Sequence, residues 1–215
     1  MRLLGYPLRR RRSRGQALVE FALVIPIFLT ILVSIGEFMF LSTAYISVDF
    51  ASHDASEVAA IYGNTAGADC AVLQRIDNDI MAPANPTLIK TVTIFWVNTA
   101  TANGSAMAGA ENIYTYNGGN NPCTTPAGTT IYVPFPNVPT IEATTGGYPE
   151  STRCNVNQAT GCLATNGVAH TQVDTIGVTI TYQYNWMTPF PTLISGSGTG
   201  PLLTVTNMTR LEPVL

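Results

Sequence analysis

An uninterrupted apolar run opens this chain, followed first by a helical hydrophobic period and then by a strand-like one. From Phe21 to Gly36 there are 16 residues without a charge, and from Phe21 to Val48 the only charged residue is Glu37. At a rise of about 1.5 Å per residue, roughly 20 apolar residues cross the ~30 Å hydrocarbon core of a bilayer. The run predicts a transmembrane helix. A buried core helix is the alternative, but such helices rarely extend so far without a polar face. Helical spacing continues beyond it, with Tyr45, Val48, Ser52, Ala55, Ala59 and Tyr62 recurring opposite Asp49, His53 and Glu57. Gly63 and Asn64 supply the stop. One helix from about Gln16 to Tyr62 would be on the order of 70 Å long and stand clear of the bilayer. Pro26 removes a backbone hydrogen bond inside it, so a kink is expected near Ile25.

The period then shortens. A short helix is predicted over Asp69 to Met81, with Leu73, Ile76 and Ile80 on one face and "PANP" ending it. "TLIKTVTIFWV" is rich in β-branched and aromatic residues, and "VDTIGVTITYQYNW" alternates Ile176, Val178, Ile180, Tyr182, Tyr184 and Trp186 with Thr and Gln. "TIYVPF" predicts a short strand and "LLTVTNMTRL" a closing one. The stretch from Asn98 to Thr130 and the stretch "VPTIEATTGGYPESTRC", rich in Gly, Pro, Asn and Thr, are read as long loops that would carry any ligand specificity, the ligand itself being unknown. The expected fold class is α+β: a long transmembrane helix, then a small domain with a mainly antiparallel sheet and long loops. The expected division is a leader at 1–15, the helix at 16–63 and the domain at 64–215.

Charge changes the picture at the N-terminus. Six of the ten basic residues (Arg2, Arg9, Arg10, Arg11, Arg12, Arg14) precede Gly15, whereas all 13 acidic residues follow it. A basic cluster beside an apolar span stays on the cytoplasmic side of a membrane. Nucleic acid is a poor alternative, since no aromatic and basic surface follows. The single-pass topology this predicts places the N-terminus in the cytoplasm and the domain outside. A secretory signal with a cut after Ser42-Thr43-Ala44 fits less well, because the apolar run exceeds the usual signal core and Glu20 stands at its start. Removing the leader after Gly15 would leave a free amine on Gln16, with Glu20 about one helical turn away. Amine and carboxylate on neighbouring copies would then pair in a low-dielectric bundle, offsetting the ~2.5–3.5 kcal/mol that a lone carboxylate costs deep in the bilayer. Alternatively Glu20 sits at headgroup level beside Arg14. Glu37 is a second candidate for contact between subunits or for the far interface.

Four cysteines, Cys70, Cys123, Cys154 and Cys162, all lie on the exported side, where disulfides form. Of the three connectivities, Cys70–Cys123 with Cys154–Cys162 is preferred. Zinc is disfavoured, because there is no C-x-x-C pair and His53 and His170 are remote from the cysteines. No metal or cofactor is expected, nor an enzyme. His170 and Asp174 come without a nucleophile elbow, "GSGTG" lacks the lysine of a phosphate loop, and "DND" at 77–79 lacks the remaining ligands of a calcium loop. The sequons at Asn103 and Asn207 are expected by chance in a chain this rich in Thr and Asn.

"GQALVEFALVIPIFL", "IGEF" and "ASHDASEVAA" resemble the N-terminal region of TadE-like proteins, minor pseudopilins of tight-adherence (Tad) pilus systems; "VTITYQYNWMTPF" and "LLTVTNMTRLEP", with Arg210 and Glu212, are similar to that family's closing strands. His53, Asp54 and Glu57 depart from the arginines that relatives often carry there. The resemblance implies a prepilin peptidase cutting between Gly15 and Gln16, a bacterial inner-membrane anchor, and helix pairing with other pilins or pseudopilins around Glu20, Phe21 and Glu37. It also implies a role in pilus assembly, initiation or tip, with incorporation into a surface pilus and cell adhesion. The alternative is an anchored or secreted extracytoplasmic binding domain without a pilus role.

Overall fold

A computed structural model of the protein describes residues 14–98, 104–142, 147–155, 172–189, 196 and 198–212. The first element, α1, is a single helix of 49 residues, Arg14–Tyr62, about 73 Å long at the standard rise. It runs without a break through Pro26. Hydroxyls inside its apolar half are satisfied locally: Thr30, Ser34, Ser42 and Thr43 each donate to a carbonyl three or four residues back. Such internal pairing is what a lipid-exposed helix requires.

The C-terminal half of α1 packs on a four-stranded antiparallel sheet of strand order β2-β1-β5-β6, formed by β1 (Ile89–Val97), β2 (Ala106–Thr115), β5 (Thr175–Asn185) and β6 (Thr199–Arg210). A separate hairpin pairs β3 (Asn121–Thr124) with β4 (Thr130–Val133). The second helix, α2 (Ala68–Asp79), lies against α1, and a short α3 (Val138–Glu142) follows β4. The seam on α1 is made of small residues: Ala44, Ala51, Ser52, Ala55, Ser56 and Ala59 are buried with Val48. Their size lets the helix backbone approach the sheet, so that Ser52 donates to the Val178 carbonyl (3.0 Å) and Ser56 meets the Thr209 hydroxyl (2.9 Å). The seam is offset from the face predicted above, since Tyr45 and Tyr62 are 46% and 38% exposed. The same 3.6-residue period serves both faces, and the small residues win the inner one because only they fit there.

On the sheet side, Val92, Ile94, Ile176, Val178, Ile180, Tyr182, Tyr184 and Val205 are buried, as strand alternation demands. The solvent side carries Thr91, Thr181 and Thr204 in one register rank and Thr93, Thr179 and Thr206 in the next. Phe95 lies across Gly177, where a Cβ would collide with its ring. One expectation is corrected: the stretch from Asn98 to Thr130 is not all loop, because β2 and β3 fall within it. In β2, Ala110, Asn112 and Tyr114 alternate inward, but the glycine, alanines and asparagine there obscure the period. The second stretch is likewise not all loop. It contains α3 and a 3-10 turn at Glu150–Thr152, and its end is buried.

Candidate membrane and assembly helix

The junction expected to be cut falls in the first turn of α1. Gly15 is exposed and no other group approaches the position of a Cβ on it. Glu20 is exposed, and Phe21 is 64% exposed beside it. The described residues leave most of the apolar run that follows uncovered, with Leu23, Ile27, Phe28, Ile31 and Ile35 all more than half exposed. Among the described residues α1 is the one helix long and apolar enough to cross a membrane. So large an apolar surface is stable only against lipid or other apolar helices.

Glu37 ends this surface, and its environment differs from that of Glu20. It is 4% exposed and accepts hydrogen bonds from Tyr184 Oη (2.9 Å), the Met187 amide (2.8 Å) and the Thr188 amide (3.0 Å). The carboxylate therefore serves its own chain, tying the end of β5 to α1. Proximity in sequence gives no hint of this, because the donors come from about 150 residues downstream.

A second set of charges, unread in the sequence, joins α2 to the segment 148–155. Asp69 and Arg153 are fully buried side chains 2.6 Å apart. Asp69 Oδ2 also accepts from Tyr114 Oη (2.6 Å) and Asn112 Nδ2 (2.8 Å). The Arg153 guanidinium donates to the Tyr148 carbonyl (3.0 Å) and lies 4.8 Å from the centre of the Tyr148 ring. Burial alone would lower its pKa, but Asp69, Tyr148 and Glu150 together more than reverse this and hold it above the ordinary value. Glu150 reaches the start of α2 and accepts from the Gly67 and Asp69 amides, each at 2.7 Å. It thereby fills the donors that a helix N-terminus leaves open. Burial and the nearby Asp69 charge raise the Glu150 pKa to about 7. Gly67 has φ +86°, and a Cβ on it would strike the Thr124 carbonyl, so the turn into α2 demands glycine. Tyr148 Oη and the Cys154 amide both donate to Asp174 Oδ2 (2.8 and 2.9 Å), which makes Asp174 part of this frame. A clue was present in the sequence: Glu150 and Arg153 are adjacent charges in a stretch otherwise poor in them.

Cys70 and Cys123 are bonded, with their Cα atoms 5.9 Å apart, linking α2 to β3. Cys154 is also disulfide-bonded. Its expected partner Cys162, like His170 and Asn103, lies outside the described residues. His53, Asp54 and Glu57 present ligand atoms within 4.8 Å of one another on the surface of α1, but Asp54 is already paired with Arg75, which also holds Asp79 at 2.6 Å. The Asn207 amide of the second sequon donates to Asp49.

Fold and site together define a two-layer α+β domain carried on the end of a single helix whose other half is apolar and uncovered. A protein-family model described as TadE-like protein matches residues 15–57 within that helix, in agreement with the resemblance of its motifs. No curated protein and no solved structure matches the chain.

Proposed function

We propose that the protein is a structural component of a Tad-type pilus, a minor pseudopilin anchored in the inner membrane by α1 and acting in pilus assembly, initiation or tip. The observation that carries this is the coincidence, within one helix, of a TadE-like segment and an uncovered apolar surface headed by Glu20. The leader is cut by a prepilin peptidase between Gly15 and Gln16. The new amine on Gln16 then pairs with Glu20 of a neighbouring pilin or pseudopilin, and Phe21 packs in the same contact. Residues 64–215 form the extracytoplasmic part and present the loops. The protein acts by assembly and adhesion and performs no catalysis.

The test is the intact mass and N-terminal sequence of the protein purified from its native membrane. A chain that starts at Gln16 supports the proposal. A start at Tyr45 makes it a secreted protein and a start at Met1 a plain anchor, and either result removes the pseudopilin mechanism.

A further inference from the structure

Glu37 holds the Trp186 end of the β5–β6 hairpin at a fixed level on α1, and that level has a physical meaning. From Ala17, where the apolar span begins, to Glu37 the helix climbs about 30 Å, the thickness of the hydrocarbon core. The hairpin end is therefore fastened where the far side of a bilayer falls. Its chemistry suits that depth. Trp186 is half-buried and meets the Tyr184 ring edge-on at 5.7 Å, while Met187 is 56% and Leu202 57% exposed. Trp and Tyr concentrate at membrane interfaces because each offers an apolar body and a polar tip. Moreover, no charged residue occurs between Asp174 and Arg210, and those two lie at the opposite end of the hairpin, where Thr175 pairs with Arg210. On α1 the next charge after Glu37 is Asp49. The end of the hairpin nearest the apolar helix is thus charge-free, and the nearest charge on the neighbouring strand is Lys90 of β1, level with Thr181 and Tyr182.

We propose that this hairpin end, with Trp186 and Met187 at its tip and Leu202 opposite Gln183 further back, rests in the outer interfacial layer of the phospholipid bilayer and sets the depth at which α1 leaves it. The Glu37 carboxylate is the latch. With three donors on one carboxylate and none of them charged, the contact is well satisfied yet belongs wholly to the hairpin, so helix and hairpin move as one piece. Because no cation is involved, attachment is indifferent to the charge of the headgroups. The inference rests on the membrane placement of α1 proposed above.

The experiment uses the full chain in phosphatidylcholine vesicles. Trp96→Phe leaves Trp186 as the only tryptophan, and nitroxide lipids labelled near the headgroup or near the chain end quench its fluorescence. Should Trp96→Phe fail to fold, the same information comes from the difference between the unaltered chain and Trp186→Phe. The expected result is quenching about twofold stronger from the shallow label than from the deep one, unchanged when phosphatidylglycerol is mixed in, and lost in Glu37→Ala. A further variant, Leu32→Trp on the Trp-free background, reports on α1 itself. If Leu32→Trp is quenched by the deep label while Trp186 is quenched by neither, the hairpin stands off the bilayer and the inference is wrong although the anchor is right. If Leu32→Trp escapes quenching too, the membrane placement fails and takes the inference with it. Strong dependence on phosphatidylglycerol would also overturn the proposal, by showing an electrostatic contact that these residues cannot make.

Discussion

Arg153 and Asp69 show how a single pair can govern a fold. Removing one partner of a buried ion pair leaves the other charge without compensation, which typically costs about 3–5 kcal/mol, more than the pair contributes when both are present. Arg153→Met is therefore expected to destabilise the chain by about that amount, and Asp69→Asn with Arg153→Met by less than the sum of the two single changes. Thermal or denaturant unfolding of the four proteins checks this, and strict additivity would mean the charges do not act together. Glu150 gives a pH dependence. Its pKa is raised to about 7 in the folded chain from the ordinary 4.5, so the folded state binds the extra proton between those values. Stability from this group is then fully present below about pH 4.5 and is lost as pH rises toward 7. The expected outcome is that unfolding free energy falls across this window more steeply in the parent chain than in Glu150→Gln. Equal slopes would show that Glu150 does not hold its proton in the folded chain.

At the scale of elements, α1 is one helix with two solvents. Its first half is left largely exposed by the described residues, and its second half buries a seam of alanines and serines against β5 and β6. Glu20 and Glu37 mark the ends of the uncovered part, and their surroundings assign them different work. Glu37 is consumed by its own hairpin, whereas Glu20 is exposed in a segment that has to meet lipid or another helix. Glu20→Gln is accordingly expected to abolish incorporation into pili while membrane-inserted protein stays within about twofold of the unaltered level, because the neutral amide inserts at least as readily as the carboxylate. Sheared-pilus and membrane fractions probed together decide it. Normal incorporation of Glu20→Gln would remove the pairing from the mechanism.

For the whole molecule the controlling link is between α2 and the β3–β4 hairpin. Cys70 and Cys123 are separated by 53 residues, and closing a loop of that size restricts the unfolded chain by about 4 kcal/mol in the chain-entropy account. Replacing both cysteines by serine should lower unfolding stability by about that much or less, and the loss should appear first as hydrogen exchange in β3, β4 and α2, with the α1 seam protected longest. Uniform loss of protection would mean that the two halves unfold as a unit.

Much of this architecture was legible from periods and composition alone. The apolar run of α1, the small-residue helix that continues it, α2, and strands β1, β4, β5 and β6 each carry a local signal, since apolar length, 3.6-residue spacing and strict alternation are written in neighbouring residues. The part of the family resemblance that the family model matches was legible for the same reason, since it falls on one contiguous helix. Strand β2 escaped notice because alanine and glycine dominate its beginning and its inward positions include Asn112. The roles of Glu37, Asp69, Glu150 and Arg153 depended on tertiary structure, as did the choice of Ala44 over Tyr45 for the buried seam. A charged side chain looks alike in sequence whether water or a distant donor satisfies it, and only folding brings together Tyr184 and Glu37, or Arg153 and Asp69, across about 80 to 150 residues.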